Sequence, residues 1–477
     1  MTAASEPSYD PKPVDFDLVR AIQAQVNGQL EEYEAANGSM SPQDVRQRAA
    51  SLVMRALEQH TYTTAASGDG VLTAQDETAI RDAVIARMFG MGRIEAILTR
   101  SDDVEDLYIT GAEPVIAKFF GGRREIWPPV AESDDDLLQQ ISAIASHLGL
   151  NERDVTQARP FLNMDLPAHD ARMAVLFGVT PHPVVTIRRH RYVNVQLENL
   201  VTWGTISRSM MAFLQAAVIG RRSILIVGPQ SAGKTTLLRA LCQCISPTER
   251  FATLETESEL LLHKIPGRFP LLIPIEERVG SGEKDASGKT IGEITVGDVF
   301  PWSLRHSLDR IIVGECRSDE IVSVLRAMSR GFKGSMATFH ADSARETFES
   351  LASLLIQYAP SLTHDAALRQ IATALDIVVF IDREEGTDPN TGEPVEIRYV
   401  TEILSVGSVG EKGQIGAAEI FRPHDDADQL ALDPRGYPAG AALADNGLWA
   451  RRAGFDLAWL KPDQGGWDTQ FPFRSFY

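Results

Sequence analysis

The start of the chain has apolar residues at three- and four-residue steps, which is the spacing of one helix face. The first stripe predicts a helix over residues 16–34 and consists of Val19, Ile22, Val26, Leu30 and Tyr33. Ser41 and Thr73 are good N-caps, and they predict a second helix to about residue 59 and a third that ends near Gly90. Residues 62–70, rich in Gly, Ser and Thr, are expected to link these two helices. Residues 1–16 are polar and aperiodic and are expected to be disordered, so residues 17–100 form the predicted N-terminal helical module.

Shorter apolar runs with turn residues between them predict a small α+β domain over residues 101–195. The predicted strands cover residues 105–110, 115–120, 124–127, 172–175 and 184–188, and a predicted helix covers residues 137–148. Residues 196–204 are expected to be a linker to the next domain.

Continuous apolar runs then alternate with helical periods, a pattern typical of a parallel sheet with helices on both faces. The predicted strands include residues 224–227, 251–254, 311–313 and 335–339. The fold class is therefore α/β, with the main domain over residues 205–385. Residues 386–477 lack long periodic segments and predict few strands, at residues 398–405 and 418–421, so they are interpreted as a loosely structured C-terminal appendage.

The strand at residues 224–227 leads into a glycine-bounded loop and then a helix, with Gly-x4-Gly-Lys-Thr in the turn. Such a loop turns successive backbone N–H groups toward a polyphosphate, and the helix N-terminus adds partial positive charge. The predicted nucleotide-binding residues are Gly228, Pro229, Gln230, Ser231, Ala232, Gly233, Lys234, Thr235 and Thr236. Lys234 can reach the β- and γ-phosphates, and the Thr235 hydroxyl can ligate Mg²⁺. The chain is predicted to bind a nucleoside triphosphate.

Three other predicted strands end in ionisable residues, Glu255, Glu315 and His340. In parallel sheets ligands bind at the carboxyl ends of the strands, so these side chains are expected beside the phosphate loop. Glu315 follows the apolar strand at residues 311–313, where a carboxylate can orient or deprotonate the attacking water and help to hold the magnesium shell.

Composition narrows the functional classes. The formal net charge of −19 argues against a protein that coats nucleic acid, and three cysteines give neither a disulfide framework nor metal-ligand spacing. The chain has no apolar run of membrane-spanning length, and its first residues lack the basic and apolar regions of a signal peptide. A cytoplasmic protein is expected.

Four blocks of sequence, in this order and at these spacings, resemble the secretion and pilus-assembly ATPases of type II and type IV systems, and most of all their Tad/CpaF branch. The blocks are GPQSAGKTT (Walker A), TLETESEL from Thr253 (the acidic box), LDRIIVGECRSDE from Leu308 (Walker B) and GSMATFHADSARE from Gly334 (the His box). The resemblance implies a RecA-like P-loop domain, an α+β domain that is PAS-like in the family, and a ring, expected to be a hexamer.

The resemblance also implies roles for single residues. Glu315 and Glu255 would lie near the attacking water, and His340 would sense or orient the γ-phosphate. Arg172 and Arg188 match arginines that the family presents to the phosphates from its front domain or linker, and Arg278 is a weaker candidate of the same kind. Structural alternatives exist for each: a solvated strand-end acid at Glu255, a structural histidine at His340, and interdomain salt bridges at Arg172 and Arg188.

The chain departs from the family pattern at the phosphate loop and at the acidic box. Ser231 and Ala232 occupy the positions of the usual Gly and Ser, which reduces the backbone freedom of the loop. Thr256 replaces the usual Asp of the acidic box and removes one carboxylate. These departures predict slow turnover or altered affinity.

The resulting prediction is a cytoplasmic, homohexameric ATPase that uses ATP and Mg²⁺. It would lie at the inner face of the cell membrane and drive a membrane platform that assembles a Tad-like pilus or secretes protein. Two alternatives remain open: a DNA-translocating RecA-like motor of conjugation or uptake, and a nucleotide-binding scaffold with little turnover. The sequence does not distinguish extension, retraction and secretion motors.

Overall fold

The computed structural model of the protein describes residues 15–38, 40, 42–67, 72–148, 160–190, 192–278, 280, 290–329, 331–387, 392–411 and 413–472. These residues divide into two compact units, one of residues 15–120 with 124–190 and one of residues 121–123 with 192–472. The predicted disorder of residues 1–16 is wrong for its last two residues, because Asp15 caps the first helix and Phe16 begins it. Residues 1–14 lie outside the described residues. No helix in the described part of the chain is both long and apolar enough to cross a membrane.

The first unit begins with three helices and continues with a mixed segment of helices and strands. Its helices are α1 (Phe16–Asn37), α2 (Pro42–Ser67), α3 (Ala74–Phe89), α4 (Arg93–Leu98) and α5 (Asp134–His147), and its strands are β1 (Val104–Thr110), β2 (Val115–Phe119), β3 (Arg124–Trp127), β4 (Phe161–Leu166), β5 (Ala171–Leu176) and β6 (Val184–Arg189).

The predicted apolar stripe of α1 is the core of a three-helix cluster. Val19 and Val26 are fully buried and pack with Val53 of α2 and Val84 of α3. Thr73 caps α3 through a reciprocal capping box with Asp76, as the spacing indicates. The predicted linker is wrong over residues 62–67, because α2 continues to Ser67, and its remaining residues 68–70 lie outside the described chain.

The strands of the first unit form one antiparallel sheet in the order β3-β2-β1-β6-β5-β4. One face of this sheet is buried with α5, and Leu107, Ile109, Ile141 and Met173 lie in that core. The edge strand β4 was not predicted, although its exposed and buried positions alternate. The sheet and its helix give the predicted α+β arrangement.

The second unit is larger and contains the phosphate-loop motif. Its helices are α6 (Leu197–Thr202), α7 (Arg208–Ile219), α8 (Lys234–Cys242), α9 (Val296–Ser303), α10 (Glu320–Ser329), α11 (Glu346–Tyr358), α12 (His364–Ala374), α13 (Ala427–Leu432) and α14 (Leu448–Arg452), and its strands are β7 (Ile224–Gly228), β8 (Phe251–Glu255), β9 (Leu272–Glu276), β10 (Arg310–Val313), β11 (Met336–His340), β12 (Ile377–Thr387), β13 (Pro394–Val409), β14 (Ile415–Arg422) and β15 (Tyr437–Pro438).

The strands of the second unit form one nine-stranded sheet in the order β15-β14-β13-β12-β7-β11-β10-β8-β9. From β12 to β9 neighbouring strands are parallel, whereas β13, β14 and β15 pair antiparallel. Alternate residues of β7 face the two hydrophobic cores on opposite sides of the sheet. Ile224 and Ile226 pack with α7 and α8, and Leu225 packs with α10, α11 and α12. Helices therefore cover both faces of the parallel part, and the predicted α/β fold class is confirmed.

Two expectations about the flanks of this domain are wrong. Residues 386–477 are not a loosely structured appendage, because β13, β14 and β15 extend the same sheet and Phe421 is fully buried in its core. The expected linker at residues 196–204 contains α6, whose Leu197 and Leu200 are buried. In both places apolar residues are too few for a clear period, yet they pack against the core formed by the rest of the domain.

A group of aromatic rings joins the C-terminal residues to this core. The ring of Phe213 in α7 meets those of Phe421, Trp449 and Phe455 edge-on, with centroid distances of 5.8, 5.8 and 5.7 Å. Such edge-to-face pairs are favourable beyond the area they bury. β14, α14 and Phe455 thus share their packing with the helix that precedes β7.

The Phe421→Ala variant tests whether this segment is part of the folded core. Emptying a fully buried aromatic site costs about 3–5 kcal/mol, so the thermal unfolding midpoint measured by calorimetry should fall by several degrees. The control is Phe161→Ala, which removes the same side chain from a position that is 63% exposed. Equal, small shifts in both variants would contradict the core assignment and restore the idea of a loose appendage.

Candidate nucleotide-binding site

The order of the sheet brings four strand ends together. β7, β11, β10 and β8 are neighbours and run parallel, so the phosphate loop, His340, Glu315 and Glu255 follow strands that end at one edge. His340 is in register with Gly228, the first residue of the loop motif. These residues therefore lie where ligands bind in open α/β sheets.

The phosphate loop joins β7 to α8. β7 is buried along its whole length and ends at Gly228, while Gly233 precedes α8 in the left-handed region with φ 94°. A Cβ at Gly228 would collide with the carbonyl oxygen of Ile381, so close packing requires glycine there. Ser231 is also left-handed, with φ 62°, a conformation that costs a non-glycine residue about 1–2 kcal/mol. The departure from the usual Gly thus puts local strain into the loop.

Lys234 bends back into the loop and is 7% exposed. Its Nζ donates to the carbonyl oxygens of Gly228 at 2.9 Å and Pro229 at 2.7 Å, and lies 3.1 Å from Nδ1 of His340. Burial lowers the pKa of Lys234 to about 8, a shift that the nearby Glu315 opposes. Three acceptors therefore hold the ammonium group at the position where a polyphosphate would be bound.

His340 connects Lys234 with Glu315. Because Nδ1 faces the Lys234 ammonium, the ring proton of the neutral imidazole lies on Nε2, which is 2.6 Å from Glu315 Oε1 although the two atoms are not aligned as a hydrogen bond. Burial and the charge of Lys234 both lower the pKa of His340, so the ring is neutral at physiological pH. Glu315 also forms an ion pair with Arg317, a residue to which the sequence assigned no role.

Glu255 is buried at the end of β8 and is 5% exposed. Its Oε1 accepts hydrogen bonds from the backbone N–H groups of Glu259 at 3.0 Å and Leu260 at 2.8 Å. Gly314 leaves room for it, since a Cβ there would lie 3.0 Å from Glu255 Cγ. Burial raises the pKa of Glu255 to about 7. The alternative that Glu255 is a solvated acid at the end of the strand is therefore wrong. The next residue, Thr256, is exposed.

Thr235, in the first turn of α8, lies beside Glu259. The Thr235 hydroxyl donates to Glu259 Oε2 at 3.3 Å, and the buried guanidinium of Arg239 donates to the carbonyl of Glu259. Hydroxyl and carboxylate oxygens suit Mg²⁺, which uses few protein ligands when phosphates supply others. The described residues contain no group of three or more His, Cys, Asp or Glu that could hold a metal ion. Glu259 was not predicted as a site residue from the sequence, although it lies inside the acidic block.

The predicted arginines belong to other elements. Arg172 of β5 and Arg188 of β6 are in register in the first unit, and Arg188 Nε donates to Asp106 Oδ1 at 2.8 Å within the same sheet. Asp106 is 2% exposed at its side chain, so its ion pair with Arg188 is internal to this unit rather than interdomain. Arg278 follows β9, and its Nε donates to the carbonyl of Gly292 at 2.8 Å. A phosphate contact by Arg172 or Arg188 stays a prediction.

Comparison with known proteins identifies the family. The family model described as "Type II/IV secretion system protein" matches residues 123–420, more than half of the chain. The protein belongs to this family. The match spans the phosphate loop, Glu255, Glu315, His340 and both predicted arginines of the first unit.

Relatives of this type II/IV secretion system protein include curated proteins and solved structures. A putative conjugal transfer protein of Mycobacterium tuberculosis is 28% identical over 306 residues, covering 62% of this chain and 81% of that protein. The type IV secretion system protein VirB11 of Brucella suis is 26% identical over 361 residues, covering 68% and 96%. The structure of the Legionella pneumophila ATPase DotB, 17% identical, covers 67% of this chain and 81% of its own with a TM-score of 0.42. That low structural score adds nothing to the family assignment.

The Glu255→Gln variant tests the burial of this carboxyl group. The unfolded carboxyl ionises near its usual pKa of 4.5 but the folded one near 7, so between these values only the unfolded state has lost the proton. The unfolding free energy contributed by Glu255 therefore falls as pH rises from about 4.5 to 7, by at most about 1.4 kcal/mol per pH unit, and levels off above. Glu255→Gln should lack this fall.

The measurement is the difference in unfolding midpoint between the wild type and Glu255→Gln from pH 5 to pH 8. The control is Glu58→Gln, which changes an exposed acid of α2. Its unfolding midpoint should change with pH in the same way as that of the wild type. If the unfolding midpoint of Glu255→Gln also followed that of the wild type at every pH, the raised pKa of Glu255 would be contradicted.

Proposed function

We propose that this protein hydrolyses ATP and uses the energy to drive a membrane platform for pilus assembly or protein secretion. The observation that carries the proposal is the connected group of Lys234, His340 and Glu315 at the phosphate loop. It joins a phosphate-binding cation to a carboxylate at the edge of the sheet where the γ-phosphate would be held. Membership of the type II/IV secretion family supports the same reading.

The loop and the start of α8 would bind the phosphates of ATP. The first N–H groups of a helix have no partner within the helix, so those at Lys234, Thr235 and Thr236 can donate to phosphate oxygens. The Lys234 ammonium would exchange its contacts with Pro229 and His340 for phosphate oxygens. Because the burial that lowers the pKa of Lys234 also excludes water, the new ion pairs would form in a region of low dielectric.

Glu315 would act on the attacking water. Arg317 holds its carboxylate through an ion pair while His340 Nε2 lies 2.6 Å from Oε1, and a positioned carboxylate can orient water and accept its proton. Glu255 packs against Gly314, the residue before Glu315, and would help to fix the position of Glu315. With its raised pKa, Glu255 would not carry a full negative charge at neutral pH.

Thr235, with Glu259 beside it, would hold Mg²⁺. The ion would neutralise charge that develops on the phosphates. The residues present fit this ion because their oxygen atoms are hard ligands and leave positions open for phosphate and water.

The finer assignments are also proposals. The chain would form a homohexameric ring of the Tad type, at the inner face of the cell membrane, and Arg172 and Arg188 would complete the ATP site. The names of the relatives support a secretion or transfer machine: VirB11 is a type IV secretion system protein, and the mycobacterial relative is a putative conjugal transfer protein. The latter name also favours the DNA-translocating alternative, against which the net charge of −19 argues.

Steady-state ATP hydrolysis with and without single-stranded DNA tests the proposal. Glu315→Gln should lower kcat by a factor on the order of 10²–10⁴ because the base is lost, while ATP binding persists. Lys234→Ala should lose binding as well. Glu58→Gln, far along the sequence on an exposed face of α2, is the matched acid-to-amide control and should keep wild-type rates.

Other outcomes would point to the alternatives. Strong stimulation by DNA would favour a translocating motor over a protein-secretion motor. Tight binding of ATP without hydrolysis, even with a membrane fraction added, would favour the nucleotide-binding scaffold. Sedimentation that shows a monomer at every concentration with ATP and Mg²⁺ would contradict the ring.

A further inference from the structure

The hairpin of β12 and β13 lies directly against the phosphate loop. Both glycines that bound the loop face it: a Cβ at Gly228 would meet the carbonyl of Ile381, and a Cβ at Gly233 would lie 3.3 Å from Cδ of Arg398. The loop therefore packs between the start of α8 and a hairpin whose second strand the sequence placed in an appendage.

One side chain of this hairpin is bonded to the strained residue of the loop. Arg398 Nε donates to the carbonyl oxygen of Ser231 at 3.0 Å. Ser231 is the left-handed residue that stands where the family usually has glycine. The contact is thus made at the one position where the loop departs from glycine at a conformational cost.

Arg398 is itself held by a buried carboxylate. Its Nη2 donates to Glu396 Oε1 at 2.5 Å, and the two side chains are 15% and 1% exposed. A charged hydrogen bond in such a place is stronger than one in water and fixes the plane of the guanidinium. Glu396 therefore aligns Arg398 so that its Nε points at the loop.

The bond to Ser231 also sets the direction of the next N–H group. In a trans peptide the C=O and N–H bonds point to opposite sides. With the Ser231 carbonyl turned to Arg398, the N–H of Ala232 faces the interior of the loop, where it makes a long bond of 3.4 Å to Pro229 O. An N–H group so placed is available to a phosphate oxygen.

We infer that Arg398, aligned by Glu396, is a positioning residue that holds the phosphate loop in its binding conformation and offsets the left-handed strain at Ser231. The inference rests on the proposed binding of ATP at this loop. Arg398 acts through the backbone of Ser231, so its loss should weaken binding of the nucleotide more than it changes the chemical step.

The test measures ATP affinity by calorimetry in a Glu315→Gln background, where hydrolysis is slow. The main variant is Arg398→Gln with Glu396→Gln, which removes both charges and leaves no buried carboxylate unpaired. The dissociation constant should rise about tenfold, the size expected for loss of one charge-assisted hydrogen bond, with a nearly unchanged unfolding midpoint in the absence of nucleotide. In the protein with Glu315 intact, KM should rise while kcat changes little.

Ser231→Gly separates positioning from a general effect of charge or stability. Glycine adopts φ 62° without cost, so in a Ser231→Gly protein the same double change should raise the dissociation constant only about two- to threefold. Arg398→Lys keeps the positive charge but cannot bond Ser231 and Glu396 together in the same fork, so it should lose affinity like the double variant.

Three results would overturn the inference: unchanged affinity in the folded double variant, an equal loss with and without Ser231→Gly, or wild-type affinity in Arg398→Lys. Lys234→Ala distinguishes this failure from failure of the proposed function. If the wild type binds ATP and Lys234→Ala does not, the site stands and only the role of Arg398 is refuted. If the wild type binds ATP no better than Lys234→Ala, the proposed function fails with it.

Discussion

A buried ammonium group at the end of β7 sets the requirements for its surroundings. Removing a charge from water is costly unless hydrogen-bond acceptors replace the lost solvent. For Lys234 these acceptors are two loop carbonyls and a histidine nitrogen, and the histidine in turn faces Glu315. The loop must therefore stay closed around Lys234, and β11 must lie between β7 and β10. A polyphosphate could take over these contacts, which explains how one group can serve both the unliganded fold and the binding of substrate.

Much of this arrangement could be predicted because it follows from local sequence and one topological rule. The apolar run 224–227, the glycine-bounded turn and the polar strand ends were all legible, and parallel strands that neighbour each other must end at the same edge. Glu255 was placed correctly at that edge, but its burial was not foreseen, since no local pattern reveals that Glu259 and Leu260 turn their N–H groups back to it.

The remaining features depend on contacts between distant parts of the chain. Arg398 lies 167 residues from Ser231, and although residues 398–405 were predicted to be a strand, no local pattern indicates that this strand joins the main sheet. The same holds for residues 62–67, where a composition typical of linkers continues a helix, and where Thr61 just before them donates a hydrogen bond to Glu77 of α3. In the first unit, register rather than sequence places Arg172 beside Arg188. Like charges in neighbouring strands are unfavourable unless anions balance them. Asp106 forms an ion pair with Arg188, and Asp165 of β4 is in register with Arg172.

The extension of the sheet by β13 and β14 also determines where the chain can be cut to produce a stable fragment. β12 has a five-residue buried stretch, and its outer side is paired along its length with β13. A fragment that stops at residue 385 would leave those N–H and C=O groups unpaired on a long apolar edge, the kind of surface that recruits strands from other molecules. Solubility of the isolated domain thus depends on residues that carry no recognisable motif.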